Sequence, residues 1–176
     1  VLPETIHNKI HDEIQRLLNL LNMKTGPYNF DIRVDKNNNV FFIEMGARNG
    51  GNLIPRITKY ATGVDLIEYT IKAALGEDCS DLKMVQPKGY WSCYTINSQK
   101  NGVFKGIEMD SEFERNNVVE YELFAKPGDS IFAFTGSDKK LGSMVLKYSS
   151  REEMIEKMNN MTNWIKVILE ESLVRK

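Results

Sequence analysis

Residues 29–52 read NFDIRVDKNNNVFFIEMGARNGGN, and the fold turns on how the first part of this stretch pairs with itself. Two strand-like runs, Tyr28 to Asp35 and Val40 to Met45, flank Lys36-Asn37-Asn38-Asn39, which is a hairpin signal. A turn centred on Asn37-Asn38 pairs Asp35 with Val40, Arg33 with Phe42 and Asp31 with Glu44. The other face then holds Phe30 with Met45, Ile32 with Ile43 and Val34 with Phe41, all apolar. A slip of one residue would turn that set to solvent, so burial specifies the register. Two carboxylates are thereby expected directly opposite each other, with Cβ atoms about 4.5–5.5 Å apart. At an effective dielectric of about 20, two charges about 5 Å apart repel by roughly 3 kcal/mol. Solvent screening, a shared proton, or a salt bridge to Arg33 or Arg48 would offset this. So would a divalent cation, because magnesium sites commonly combine one or two carboxylates with substrate phosphates.

Arg48 stands four residues beyond Glu44, and Asn49-Gly50-Gly51-Asn52 leads into a short helix, about Leu53 to Tyr60, with Pro55 in its first turn. Such a loop can present backbone N–H groups to an anion. A guanidinium beside a two-carboxylate metal site suits phosphoryl transfer: the metal neutralises phosphate charge and the arginine stabilises charge developing on the transferred group. The structural alternative is a glycine-rich turn with a surface arginine.

Upstream, Ile6, Ile10, Ile14, Leu17, Leu18 and Leu21 recur at helical spacing, so Pro3 to about Met23 is expected as a helix stopped by Lys24-Thr25-Gly26-Pro27. Downstream, Gly63 separates a second helix, about Val64 to Leu75, which Gly76 ends. Glu77 to Lys88 is polar and irregular, and the expected division is residues 1–80 and 81–176. Past it the period changes. Gly89 to Ile96, Gly102 to Glu108, Val118 to Ala125, Ser130 to Phe134 and Leu141 to Lys147 read as strands. A long final helix is expected behind a Ser150/Glu153 capping box, with Met154, Met158, Met161, Ile165, Ile168 and Leu169 as one apolar stripe packing on the sheet.

Lysine plus arginine (23) balance aspartate plus glutamate (24), which gives no electrostatic footprint for nucleic acid or an anionic membrane. No apolar run approaches the ~18 residues of a membrane span, and the amphipathic start is no signal peptide. Cys79 and Cys93 form neither a metal spacing nor a disulfide framework, which suggests a reducing, cytoplasmic compartment. His7 and His11 stand four apart but lack the glutamate of a zinc-protease motif. Tyr90, Trp91 and Tyr94 interleave without a basic cluster, which favours sheet packing over base stacking. The chain starts without methionine, directly at a helical pattern, as expected of a piece of a longer protein.

The run Phe42-Ile43-Glu44-Met45-Gly46-Ala47-Arg48-Asn49-Gly50-Gly51 resembles the strand-then-loop motif of the ATP-grasp ligases, Glu-x-Asn-x-Arg in many members. Phe30-Asp31 resembles the upstream strand that supplies the first acidic metal ligand. Thr62-Gly63-Val64-Asp65-Leu66 and Ala74-Leu75-Gly76 resemble the helix that follows. From Gly89 onward the resemblance continues, on Gly102 to Ile107, Ala125 to Asp129 and Leu141-Gly142, to the small C-terminal subdomain of L-amino-acid ligases and of carbamoyl-phosphate-synthase-like and biotin-carboxylase-like proteins. The implied fold class is α+β: the C-terminal lobe of an ATP-grasp fold, with an antiparallel hairpin sheet and helices, then a small antiparallel sheet with a helix.

That family joins a carboxylate to an amine. ATP phosphorylates the carboxylate, and the amine attacks the acyl phosphate. The resemblance implies Asp31 and Glu44 as ligands of magnesium or manganese, Asp31, Glu44 and Asn52 as ATP-binding residues, and Arg48 as the catalytic arginine. Gly46 replaces the usual asparagine ligand, a variant familiar in the L-amino-acid-ligase and carbamoyl-phosphate-synthase-like branch. Asn49, Asn52 or water would supply the missing ligand. The implied partners are small-molecule carboxylate and amine substrates and an N-terminal lobe of the same polypeptide preceding Val1, and a homodimer is compatible. Without that lobe the piece is expected to be inactive. A noncatalytic binding or scaffold module that kept the fold is the alternative, and a calcium- or magnesium-binding structural domain a third.

Overall fold

The computed structural model describes residues 2–170. In chain order the elements are α1 (Glu4–Leu20), β1 (Asn29–Val34), β2 (Val40–Gly46), α2 (Ile54–Thr62), α3 (Leu66–Leu75), β3 (Tyr90–Ile96), β4 (Gly102–Met109), α4 (Ser111–Asn117), β5 (Val118–Leu123), β6 (Ser130–Ile131), a 3-10 turn over Ser137–Lys139, β7 (Gly142–Tyr148), α5 (Arg151–Asn159), α6 (Met161–Trp164) and β8 (Ile165–Glu170). They fall into two compact units. Residues 2–50 and 65–84 form the first, and residues 51–64 and 85–170 the second. The chain therefore leaves the first unit after Gly50, contributes α2 to the second, and returns at Asp65.

The first unit carries α1, the β1–β2 hairpin and α3. Helix α1 ends at Leu20, short of the expected Met23, because Asn22 turns left-handed at φ 52° and the Met23 N–H reaches back to the Leu18 carbonyl at 2.9 Å. Helix α3 starts at Leu66, two residues later than expected: the Asp65 carboxylate accepts from the Ile67 and Glu68 N–H groups and so fixes Asp65 as the cap.

The second unit is built on two three-stranded antiparallel sheets, β3-β7-β5 and β6-β4-β8. Ile96, Met144 and Leu146 from one sheet meet Phe104, Ile131 and Ile165 from the other in a single core, with Phe113 and Met161 added by helices. Helix α2 lies on β3, where Tyr60 stacks on Trp91 with centroids 5.4 Å apart and the Lys88 N–H donates to the Ala61 carbonyl at 2.7 Å. Trp91 is thus a packing residue, as its neighbours suggested.

Three expectations for this unit are corrected. The final helix is not continuous: α5 ends at Asn159, α6 lasts one turn, and Ile165–Glu170 is a strand paired with β4. Ile165, Val167 and Ile168 are β-branched, Asn159-Asn160 are weak helix formers, and β4 offers an edge to pair with. Five of the six stripe residues share one core: Met161 and Ile165 are buried in it and Met154, Met158 and Leu169 lie against it, while Ile168 is not part of that cluster. The expectation also lacked α4, which Asp110 caps by accepting from the Glu112 and Phe113 N–H groups. Strand β6 is shorter than expected and stops at Ile131.

Candidate functional site

The hairpin places Asp31 opposite Glu44 and Phe30 opposite Met45, as the alternation predicts. Nearer the turn the register differs by one. Ile32 faces Phe42, Arg33 faces Phe41 and Val34 faces Val40, with the irregularity between Asp31 and Ile32. The cause lies in the turn. The Asp35 carboxylate accepts from the Asn37 N–H at 2.8 Å, the Asn39 N–H at 2.9 Å and the Asn39 side-chain amide at 2.9 Å. With Asn38 left-handed at φ 62°, the Asp35 N–H closes on the Asn39 carbonyl at 3.0 Å. These bonds, the Asn39 side-chain amide first, hold the Asp35 carboxyl below its usual range. Closing the turn at Asn39 would leave Asp31 and Glu44 out of step. A β-bulge at Ile43 restores them.

The bulge also changes which residues face solvent. The sheltered face consists of Phe30, Ile32, Val34, Val40, Phe42 and Met45, where Phe30 and Phe42 meet edge to face at 5.8 Å. Phe41 and Ile43, expected on that face, stand 51% and 63% exposed instead. Ile43 and Glu44 are consecutive outward residues, and Glu44 thereby stays on the exposed face with Asp31.

Both carboxylates are exposed, and among the described residues no lysine, arginine or histidine pairs with either. Neither Arg33 nor Arg48 supplies the salt bridge that would offset their repulsion. Among the described residues no group of three or more histidine, cysteine, aspartate or glutamate side chains gathers at one point. The donor set here is two facing oxygen ligands open to solvent. That set fits a magnesium-type ion completed by phosphate oxygens and water, and does not fit an all-protein cage.

Arg48 follows the strand after a tight turn in which its N–H bonds to the Gly46 carbonyl at 2.9 Å. Its side chain folds back over Gly46, where a Cβ would rest 3.5 Å from Arg48 Cγ and 3.6 Å from Nε. Its Nη1 donates to the Asn49 carbonyl at 2.9 Å, and the exposed guanidinium has no carboxylate partner among the described residues. The Asn49 side-chain amide donates to Thr70 Oγ1 at 2.7 Å, and Thr70 in turn donates to the Leu66 carbonyl at 2.6 Å. Asn49 is therefore a tie between the loop and α3, a role its place in a glycine-rich run did not reveal.

Asn52 belongs to the second unit. It is left-handed at φ 52°, as is Leu53 at φ 64°, and its Oδ1 accepts from Lys140 Nζ at 3.4 Å. Helix α2 follows, with Pro55 in its first turn and no side-chain cap. Arg56 bonds Glu120 at 3.2 Å; this bond first, and the Glu120 charge second, raise the Arg56 pKa. Lys140 was not anticipated, because its proximity to Asn52 spans 88 positions of sequence. His7 and His11 face each other edge to face at 6.4 Å, both exposed, without a third ligand among the described residues.

No protein-family model matches the chain. Over 167 residues it is 26% identical to an uncharacterized protein, y4rH, of Sinorhizobium fredii, covering 93% of this chain and 34% of that one. Its structure superposes on an L-amino acid ligase from Bacillus licheniformis with a TM-score of 0.83 and 24% identity, covering 97% of this chain and 43% of the ligase. A biotin carboxylase from Campylobacter jejuni, in complex with beta-gamma-ATP, matches with a TM-score of 0.67 and 21% identity over 97% of this chain and 38% of its own. The chain has the fold of the C-terminal part of ATP-grasp enzymes. It spans well under half the length of each of these proteins.

Proposed function

We propose that the chain is part of an ATP-dependent carboxylate–amine ligase that works through an acyl phosphate, and that Asp31, Glu44 and Arg48 are its contribution to the reaction. The observation that carries this reading is the register: two carboxylates brought face to face, with no cationic side chain paired to them among the described residues, on the unit that also carries, in the following loop, an arginine with no carboxylate partner among those residues. Asp31 and Glu44 would hold a magnesium or manganese ion, which when bound supplies charge neutralisation for nucleotide phosphates. Arg48 would stabilise negative charge on the transferred group, where a donor fixed in advance is most effective. Asn52 is assigned to nucleotide binding. Small-molecule carboxylate and amine substrates follow from the reaction class. The L-amino acid ligase and the ATP-bound biotin carboxylase support the class but leave the substrate pair open.

The remaining parts of the nucleotide site are assigned to the portion of the whole protein outside these residues, because the similar proteins are more than twice as long. The expected result is that the 176-residue chain alone turns over no ATP, while the full-length protein shows magnesium- or manganese-dependent ATP binding. Asp31→Asn and Glu44→Gln should each remove that metal dependence. Arg48→Ala should abolish ligation with folding intact. Full ligation by Arg48→Ala would overturn the mechanism. Metal-independent nucleotide binding in the full-length protein would instead favour the noncatalytic module that kept this fold.

A further inference from the structure

The second unit contains a cleft of about 380 Å³ walled by Phe124, Phe132, Lys139 and Lys140, with Ile131 and Leu141 beneath. Phe132 is 57% and Phe124 46% exposed. Single exposed apolar side chains need no explanation, but two of them converging on one cleft with charged neighbours form a recognition surface.

Asp129, Asp138, Lys139 and Lys140 line the cleft with no net charge, but they are unequally paired. The Asp129 carboxylate accepts from the Lys126 N–H at 2.8 Å and closes its own turn. Asp138 pairs with Lys139 at 2.8 Å, and Lys139 also lies over the Phe132 ring at 5.5 Å. Lys140 has no carboxylate within ion-pair distance among the described residues. Its ammonium lies 5.4 Å from the Phe124 centroid and 3.4 Å from Asn52 Oδ1. It is half-buried, so it has given up part of its hydration without gaining an anion. An aromatic face and one amide oxygen offset that loss only in part.

We infer that this cleft binds a small organic monocarboxylate, with the carboxylate on Lys140 and an apolar body against Phe124 and Phe132. Asn52 holds the ammonium at the cleft in the absence of ligand and yields it to the stronger charged acceptor. That the ligand is a substrate of the ligation rests on the function proposed above; the binding itself does not.

Phenylacetate tests this, titrated into the nitrogen-15-labelled 176-residue chain without metal or nucleotide. Saturable amide shifts are expected at Phe124, Phe132, Lys140 and Leu141. Benzyl alcohol, which lacks the charge, should bind about tenfold more weakly, and Lys140→Gln should weaken phenylacetate by about tenfold, the size of one charge-assisted hydrogen bond. Lys140→Arg should retain most of the affinity, which separates lost charge from lost folding. Phe132→Ala should weaken phenylacetate and leave acetate unchanged. Equal affinity in Lys140→Gln, equal binding of benzyl alcohol, or shifts confined to other residues would overturn the assignment. Asp31→Asn separates the two proposals: it should leave phenylacetate binding intact while removing the metal response of the full-length protein.

Discussion

Asp31 and Glu44 oppose each other with no lysine, arginine or histidine paired to either among the described residues, so removing one charge should act in opposite directions on folding and on ligand binding. Like charges directly opposite on antiparallel strands are destabilising, and because both carboxylates are exposed, solvent screening reduces their repulsion to the roughly 0.2–1 kcal/mol scale of other cross-strand pairs. Asp31→Asn is therefore expected to stabilise the metal-free chain by a few tenths of a kcal/mol, up to about 1, measured by urea unfolding, while the same substitution removes metal-dependent nucleotide binding in the full-length protein. Destabilisation of the free chain would mean that the carboxylate makes a structural contact. Glu153 is the contrasting acid. Its carboxylate accepts from the Ser149 hydroxyl at 2.6 Å and the Ser149 N–H at 2.7 Å, from the Asn117 amide at 3.0 Å, and pairs with Lys157 at 2.9 Å. Ser149, then Lys157, then Asn117 lower its pKa to about 2. A carboxyl depressed in the folded state contributes stability above its unfolded pKa, near 4.5, that is lost as the pH falls toward about 2. Glu153→Gln should thus cost about 1–2 kcal/mol at pH 7, after discounting for partial solvent screening, and little at a pH of about 2. Urea midpoints of both proteins across that range check it, and a gap independent of pH would assign the loss to packing.

At the scale of elements, the hairpin shows what was legible in the sequence and what was not. Alternation of apolar and polar residues places Asp31 against Glu44 correctly, because the partial burial of Phe30 and Met45 on the other face constrains that end. The turn end was misjudged by one residue, since the Asp35 side chain bonds its own backbone neighbours and no periodicity reports that. The bulge at Ile43 reconciles the two ends, so the candidate pair was legible although the register around it was not. Strand β8 was hidden for a different reason: Met154, Met158, Met161 and Ile165 keep helical spacing, and only the open edge of β4 decides that the last of them joins a strand. Lys140 was invisible because long-range placement made it a site residue. Gly142 is the position in β7 where close approach leaves no choice. A Cβ there would run into the Glu122 backbone carbonyl of β5 and press on Leu123 and Ile96 at 3.1 and 3.2 Å. Gly142→Ala should destabilise by about 1–3 kcal/mol, since backbone cannot move aside as a flexible side chain can. Thermal unfolding of the single variant tests this, and an unchanged midpoint would show that β5 can give way.

For the whole molecule, burial is divided very unevenly. Of the buried apolar residues, Ile6 belongs to the first unit, whereas Ile96, Phe104, Phe113, Met144 and Leu146 are among those in the second. Full burial of a large apolar side chain contributes about 1.5–3 kcal/mol, so the second unit has a core of its own and the first has little of one. Its hairpin is a two-stranded sheet, which is marginal in water without a further partner. Helix α3 turns Ile67, Ile71 and Leu75 outward, at 49%, 57% and 70% exposure. Native-state hydrogen exchange should therefore separate the two units. Amides of β4 and β7 are expected to exchange only through global unfolding, and those of β1, β2 and α3 on the order of 100-fold faster, through local opening. Anything that binds the folded first unit must raise its protection by mass action. The full-length protein with magnesium and ATP should accordingly slow exchange at Asp31 to Arg48, with little change in β4 or β7. Equal protection of both units in the 176-residue chain would mean that the first unit is stabilised by something other than buried apolar side chains. Protection that rises evenly on adding nucleotide would place the ligand elsewhere.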